Sequence, residues 1–234
     1  MPSSLRLPLP LLLLLLLLSP LYTSGAKSLT TCSIDLTQSG YPTCLQECPD
    51  WCWATVISGM KQYYLANPPT VPFVRGNNAT AKCQDDECHV VSDVRGLSPE
   101  QCCSLATECD VGDDACGNAS GDNEIFAGLQ LEVPSREWTM KPTADQGDFV
   151  NGPIPESQIV ELLMAGTPIA REIHGHITSL VGCKPDSEGK GNVYRVLDSL
   201  EDQDDEIWMD FATLVSDYKE GGGRQDGPWE TAYW

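Results

Sequence analysis

The chain has 234 residues, and 34 Asp and Glu against 14 Lys and Arg leave a formal charge of -20. A surface this negative repels phosphate backbones and anionic lipid headgroups, which weighs against nucleic acid and membrane surfaces as partners. A hydrophobic content of 41% is enough for a core, and 11 cysteines are too many for a reducing cytosol.

Met1 to Arg6 leads into Leu-Pro-Leu-Pro and then eight leucines, Leu11 to Leu18. A basic start, a short apolar run and small residues at Thr23, Ser24, Gly25 and Ala26 have the order of a secretory signal peptide over residues 1–25. Ser19 and Pro20 break the run well short of the ~20 residues a spanning helix needs, which disfavours a membrane anchor. Removing it takes away Arg6 alone among charged residues, leaving 13 basic against 34 acidic residues, or -21. Residues 26–234 then suffice for one sizeable domain with no membrane association, secreted or held in the lumen of a secretory or lysosome-like compartment. In that pathway Asn78 and Asn118, each opening an Asn-x-Ser/Thr triplet, become candidate glycosylation sites.

Residues 27–50 have no sustained period and read as an irregular lead-in. From Trp53 the apolar positions Val56, Ile57, Met60, Tyr63 and Tyr64 follow the spacing of a one-sided amphipathic helix, with Asp50 placed to cap it and Asn67-Pro68-Pro69 to stop it. Residues 75–123 hold a cysteine-rich section expected as loops and short turns. A second helix is expected over 155–165, with Gly166 just past its end. Three β-like runs follow at 168–173, 176–181 and 193–197, the last two separated by turn-forming residues 184–191 as in a hairpin. The acidic run 198–206 is expected as a solvated loop and does not fit a calcium-loop spacing. Helix first, cysteine-rich middle and strands last give an α+β layout in two lobes, at about 44–150 and 151–234.

Eleven cysteines cannot all pair within one chain. Cys32, Cys44, Cys48, Cys83, Cys88, Cys102, Cys103, Cys109, Cys116 and Cys183 are the disulfide candidates, in a connectivity that spacing does not fix. Cys83, Cys88 and His89 have zinc-like spacing, but the secretory leader favours disulfides. Cys52 is the candidate free thiol. It stands at a helix start, where the dipole and unpaired N–H groups favour a thiolate nucleophile, although a structural half-cystine there is common. Gln46, six residues upstream, can offer an amide to an oxyanion. Of the three histidines, His89 is expected in a loop, while His174 and His176 flank Gly175 at the head of a strand. His-x-His could also be half of a metal site, but no third ligand is evident. Asp198, at the end of the next strand, can approach His176 across a hairpin and orient it, or be an ordinary surface aspartate.

The segment Gln46-Glu-Cys-Pro-Asp-Trp-Cys52-Trp53-Ala54 resembles the papain-like cysteine proteases, in which such a glutamine serves the oxyanion and such a cysteine heads the central helix. Gly175-His176 through Gly182 and Tyr194 through Asp198 resemble the family's second and third elements. The Trp-Cys-Trp wording and the Cys102-Cys103 pair look most like the branch with bacterial effector proteases and bacteriocin-processing peptidases. Ser199 stands where that branch usually has proline, and Cys48 does not match papain's cysteine spacing. The resemblance implies a two-lobe α+β fold, disulfide-rich, with an N-terminal central helix and a C-terminal antiparallel sheet. It implies a catalytic set of Cys52, His176, Asp198 and Gln46, needing no metal or other cofactor. A peptide or protein is the expected substrate. With only about 26 residues between leader and Cys52 there is no room for a long inhibitory propeptide, so either activity is harmless where released or another molecule, such as a protein inhibitor, restrains it. The same residues also fit a thiol acyl transferase or amidase, or a protease fold that binds peptides without cutting them.

Overall fold

The computed structural model describes residues 31–48, 50–70, 86–106, 116, 122–142, 152–173, 175–200, 207–216, 218–219, 226–227 and 229–234. Residues 1–25, the expected leader, as well as Asn78, Asn118, Cys83, Cys109, His174 and the acidic residues 201–206, lie outside them. The molecule is a mixed helix and antiparallel-sheet structure of the α+β class. Among the described residues no helix is long and apolar enough to cross a membrane.

Helix α1 (Cys52–Ala66) starts one residue before the expected point, and its N-cap is Trp51 with no side-chain capping bond, not Asp50. It is buried almost all round over its first nine residues, not on one side only. The reason lies in its small residues. Gly59 lets the Tyr41 hydroxyl approach to 3.2 Å from where a Cβ would stand, and the Thr55 hydroxyl donates to the Trp51 carbonyl at 3.0 Å. Asn67 ends it as expected, its N–H donating to the Tyr63 carbonyl at 2.8 Å ahead of the two prolines.

The cysteine-rich section departs from the expected loops. It contains helices α2 (Glu87–Arg95) and α3 (Pro99–Ala106), joined through the left-handed Gly96 (φ 66°) and stapled by Cys88–Cys103, so His89 is helical and exposed. With Val90 and Val91 buried and cysteines filling other inward positions, the helical period of this stretch is carried by residues that sequence reasoning had assigned to bridges. Helix α4 (Asp122–Glu132) packs on α1 so closely that a Cβ at Gly128 would lie 2.7 Å from Ile57 Cδ1.

Strand β1 (Ile34–Asp35) lies in the expected irregular lead-in, and β2 is Met140–Pro142. Helix α5 (Glu156–Met164) and strand β3 (Ile169–Ile173) follow the expected pattern. Strand β4 (His176–Pro185) runs four residues past its expected end, because β5 (Asn192–Leu197) pairs with it as far as Pro185↔Asn192. Then come β6 (Ile207–Asp210), α6 (Phe211–Ser216), β7 (Tyr218–Lys219), β8 (Asp226–Gly227) and β9 (Trp229–Tyr233), none of them foreseen. The main sheet runs β2-β9-β3-β4-β5-β6, with β1 pairing onto β4 at Cys183 and Gly182. Gly182 is required there: a Cβ would stand 2.9 Å from the Ile34 carbonyl oxygen. Cys32–Cys183 fastens the same crossing.

Helix α4 meets the sheet through an acid pair. Glu172, buried on β3, hydrogen-bonds Asp122 and accepts from the Tyr233 hydroxyl at 2.9 Å; Asp122 accepts from Thr231 at 3.0 Å. Burial first, then the Asp122 carboxyl, push Glu172 up from 4.5 to about 8. The unfolded chain therefore releases this proton above about pH 4.5 while the native protein keeps it. Stability from this site is full below that value and falls as pH climbs towards 8, by about 1.4 kcal/mol for each pH unit of mismatch. Glu172→Gln, neutral throughout, is expected to match wild type in thermal unfolding at pH 4.5 and to be the more stable protein at pH 8. Parallel melting curves at the two pH values check this.

Candidate active site

Four separate stretches converge. Cys52 is the first residue of α1, so the unbonded N–H groups of the first turn surround its backbone. His176 opens β4 directly after Gly175, whose φ of 80° makes the tight return from β3. Asp198 follows the last residue of β5, and the register Ser179↔Leu197 carries it back alongside the start of β4. Gln46 comes from the lead-in before α1.

His176 Nε2 and Asp198 Oδ1 are 2.9 Å apart, with both residues at most 5% exposed. Asp198 also accepts the Leu200 N–H at 3.0 Å, which fixes the carboxylate plane. With Nε2 committed to Asp198, Nδ1 is the nitrogen left for Cys52, whose side chain hydrogen-bonds the ring. Burial opposes charge on this imidazole. The hydrogen bonds to Asp198 and Cys52, with the charge of both, outweigh it and lift the group from 6.5 to about 10. Asp198 is therefore no solvated loop residue; it is the buried partner of the histidine. His174 lies outside the described residues, so the geometry speaks for His176 alone.

Cys52 is the free cysteine among the described residues. Cys32–Cys183, Cys88–Cys103 and Cys102–Cys116 are bridged, and Cys44 and Cys48 are disulfide-bonded as well. The zinc spacing at Cys88 and His89 reappears as a cluster of Cys88, His89 and Cys103, but the disulfide takes up both sulfurs. Thiolates that would ligate an ion are absent while that bridge stands.

Gln46 is held at both ends of its amide. Nε2 donates to the Cys48 carbonyl at 2.9 Å and Oε1 accepts from the Ser199 hydroxyl at 2.8 Å, which fixes which end is nitrogen. The Gln46 backbone N–H donates to the Ser199 carbonyl at 2.9 Å. Ser199 is the residue that sequence reasoning missed. It was visible only as a departure from Asp-Pro, and proline there has no hydroxyl to offer. Through Ser199 the stretch that carries Asp198 also orients Gln46, so both sides of the site are joined by hydrogen bonds. Leu45 and Leu200, each next to this junction, are exposed apolar side chains at its margin.

The arrangement can carry a proton between a sulfur and an imidazole held in one orientation, beside N–H donors at a helix start. No protein-family model matches the chain, and a search among curated proteins finds no matching relative.

Ser199→Ala removes one side-chain hydrogen bond at a part-buried site, which typically costs about 1 kcal/mol. Urea unfolding is expected to show a lowered midpoint with an unchanged slope.

Proposed function

We propose that the chain is a secreted, papain-like cysteine endopeptidase. The observation that carries this is the one free cysteine among the described residues, at a helix start, hydrogen-bonded to a buried histidine that is itself fixed by a buried aspartate. Three sequence motifs in family order support it, as do the α+β class and the disulfides. The disulfides and the leader-like N-terminus support an oxidising, extracytoplasmic location.

In this mechanism Cys52 Sγ attacks the scissile carbonyl carbon and the C=O electron pair moves onto oxygen. A Gln46 Nε2 hydrogen and the Cys52 backbone N–H stabilise that oxyanion. His176 Nδ1 gives its proton to the leaving amine as the C–N bond breaks, leaving a thioester on Cys52. A water then loses a proton to His176 and attacks the thioester. The thiolate departs, and the acid product leaves with the imidazolium restored. Asp198 keeps Nε2–H bonded throughout, so Nδ1 always faces the sulfur.

Iodoacetamide under native conditions, followed by mass mapping, is expected to label Cys52 alone, and a mixed fluorogenic peptide library is expected to be cleaved. His176→Ala should abolish cleavage and His174→Ala should leave most of it. Gln46→Ala should lose about 10²–10³ in turnover with little change in binding. Fast labelling without any cleaved peptide would sink the endopeptidase reading and leave the peptide-binding one. Products carrying an added amine instead of water would identify an acyl transferase.

The pH profile gives a separate check. Turnover that needs protonated His176 should persist well above pH 6.5, because Asp198 and Cys52 hold that proton on to about pH 10. Asp198→Asn removes the charge and should move the alkaline limit towards neutrality. An alkaline limit unmoved by the substitution would remove His176 as the group it reports.

A further inference from the structure

The described residues between Gln46 and Cys52 lie in no helix or strand, with one turn hydrogen bond from the Trp51 N–H to the Cys48 carbonyl at 3.1 Å, and this stretch separates the two donors assigned to the oxyanion. From the sheet side it is held by Ser199. From the cysteine-rich section two contacts reach it, one part-buried and one buried. The Glu87 carboxylate, at the first turn of α2, accepts the Glu47 backbone N–H at 2.8 Å. The Trp51 indole N–H donates to the Cys116 carbonyl at 2.7 Å. Both side chains are 2% exposed.

The two contacts have one origin. Glu87 precedes Cys88, which is bridged to Cys103; Cys102, the next residue back, is bridged to Cys116. Two adjacent cysteines of α3 thus tie the anchor of Glu87 and the acceptor of Trp51 into a single covalently braced block. The Glu87 side chain is buried, and its Oε2 on the Glu47 N–H fixes the peptide that follows Gln46.

We propose that Glu87 and Trp51 are positioning residues for the oxyanion donors, and that the cysteine-rich helices are the frame from which they act. This rests on the peptidase reading. Neither residue touches substrate. Glu87 sets the peptide after Gln46, Trp51 sets the residue before Cys52, and together with Ser199 they fix the distance between the Gln46 amide and the Cys52 N–H. Displacing such groups by about 1 Å can cost up to about 10²-fold in rate.

The test measures kcat and KM on one peptide, alongside the native alkylation rate of Cys52, which forms no oxyanion. Glu87→Ala and Trp51→Phe are each expected to lower kcat about 10-fold or more, with KM within about twofold. For Glu87→Ala the alkylation rate should stay at the wild-type value, a separation that general loosening of the fold does not produce. Glu87→Gln, which keeps an acceptor oxygen, should recover most of the kcat that Glu87→Ala loses. Should Glu87→Ala fail to fold, Trp51→Phe carries the same kcat test, since it keeps a ring in the pocket and loses only the donor. Wild-type kcat in the folded variants would overturn the inference, as would kcat and alkylation falling together. A wild-type protein that alkylates quickly but cleaves nothing removes the peptidase reading, and this inference goes with it.

Discussion

A helix whose first nine residues are buried cannot slide or turn without breaking contacts on every side, and α1 is such a helix. Its position against β4 and α4 is set at Gly59, which admits Tyr41, and at Gly128, which admits Ile57. The Tyr41 hydroxyl continues to Ser179 on β4 at 2.7 Å, a buried hydrogen bond between lead-in and sheet three residues along the strand from His176. The N-terminus of α1 is therefore located relative to the N-terminus of β4 by packing far from either reactive atom. Close packing is stiff, so sulfur and imidazole inherit a fixed separation.

Electrostatics then decides what that separation is good for. An imidazole this buried would lose its proton near neutrality if left alone. A single buried carboxylate, itself held by a backbone N–H, and the sulfur opposite reverse the balance. The same carboxylate occupies the nitrogen remote from the sulfur, so charge and tautomer are settled by one contact. The acid pair at Glu172 shows the opposite outcome within the same sheet. There burial and a second carboxyl, that of Asp122, act together, and Glu172 holds its proton.

The disulfides fit this division of labour. Cys32–Cys183 fastens the lead-in across β4 where β1 crosses Gly182, and the bridges at Cys102 and Cys103 brace the helices beside α1. In the proposed peptidase the cross-links sit on both flanks of the one cysteine that must remain reduced. Rigidity is supplied covalently where the cysteine-rich section offers few large apolar side chains, and Cys52 stands on a helix whose first nine residues are buried.

Much of the candidate site was legible before any coordinates. Cys52, His176 and Asp198 each stand at the end of an element whose type could be read from apolar spacing and turn residues, Gln46 could be read only from its spacing to Cys52, and hairpin logic alone brings Asp198 back towards His176. The odd cysteine count required an unpaired thiol. What failed were assignments depending on neighbours far away in sequence. Asp50 did not cap α1 because Trp51, pinned to Cys116, took the place. Helices α2 and α3 were hidden because their buried positions are cysteines, and β1 was hidden because two residues carry no period. Strands β6 to β9 follow a charged stretch that masks them. Ser199, Glu87 and Trp51 are hydrogen-bonding side chains whose partners lie 153, 40 and 65 residues away. The sequence determined which chemical groups are present and which local elements carry them, since period, caps and turns act within a few residues. Only the tertiary structure decided how those groups face one another and what holds them there, because burial and long-range hydrogen bonds exist only once the chain has closed on itself.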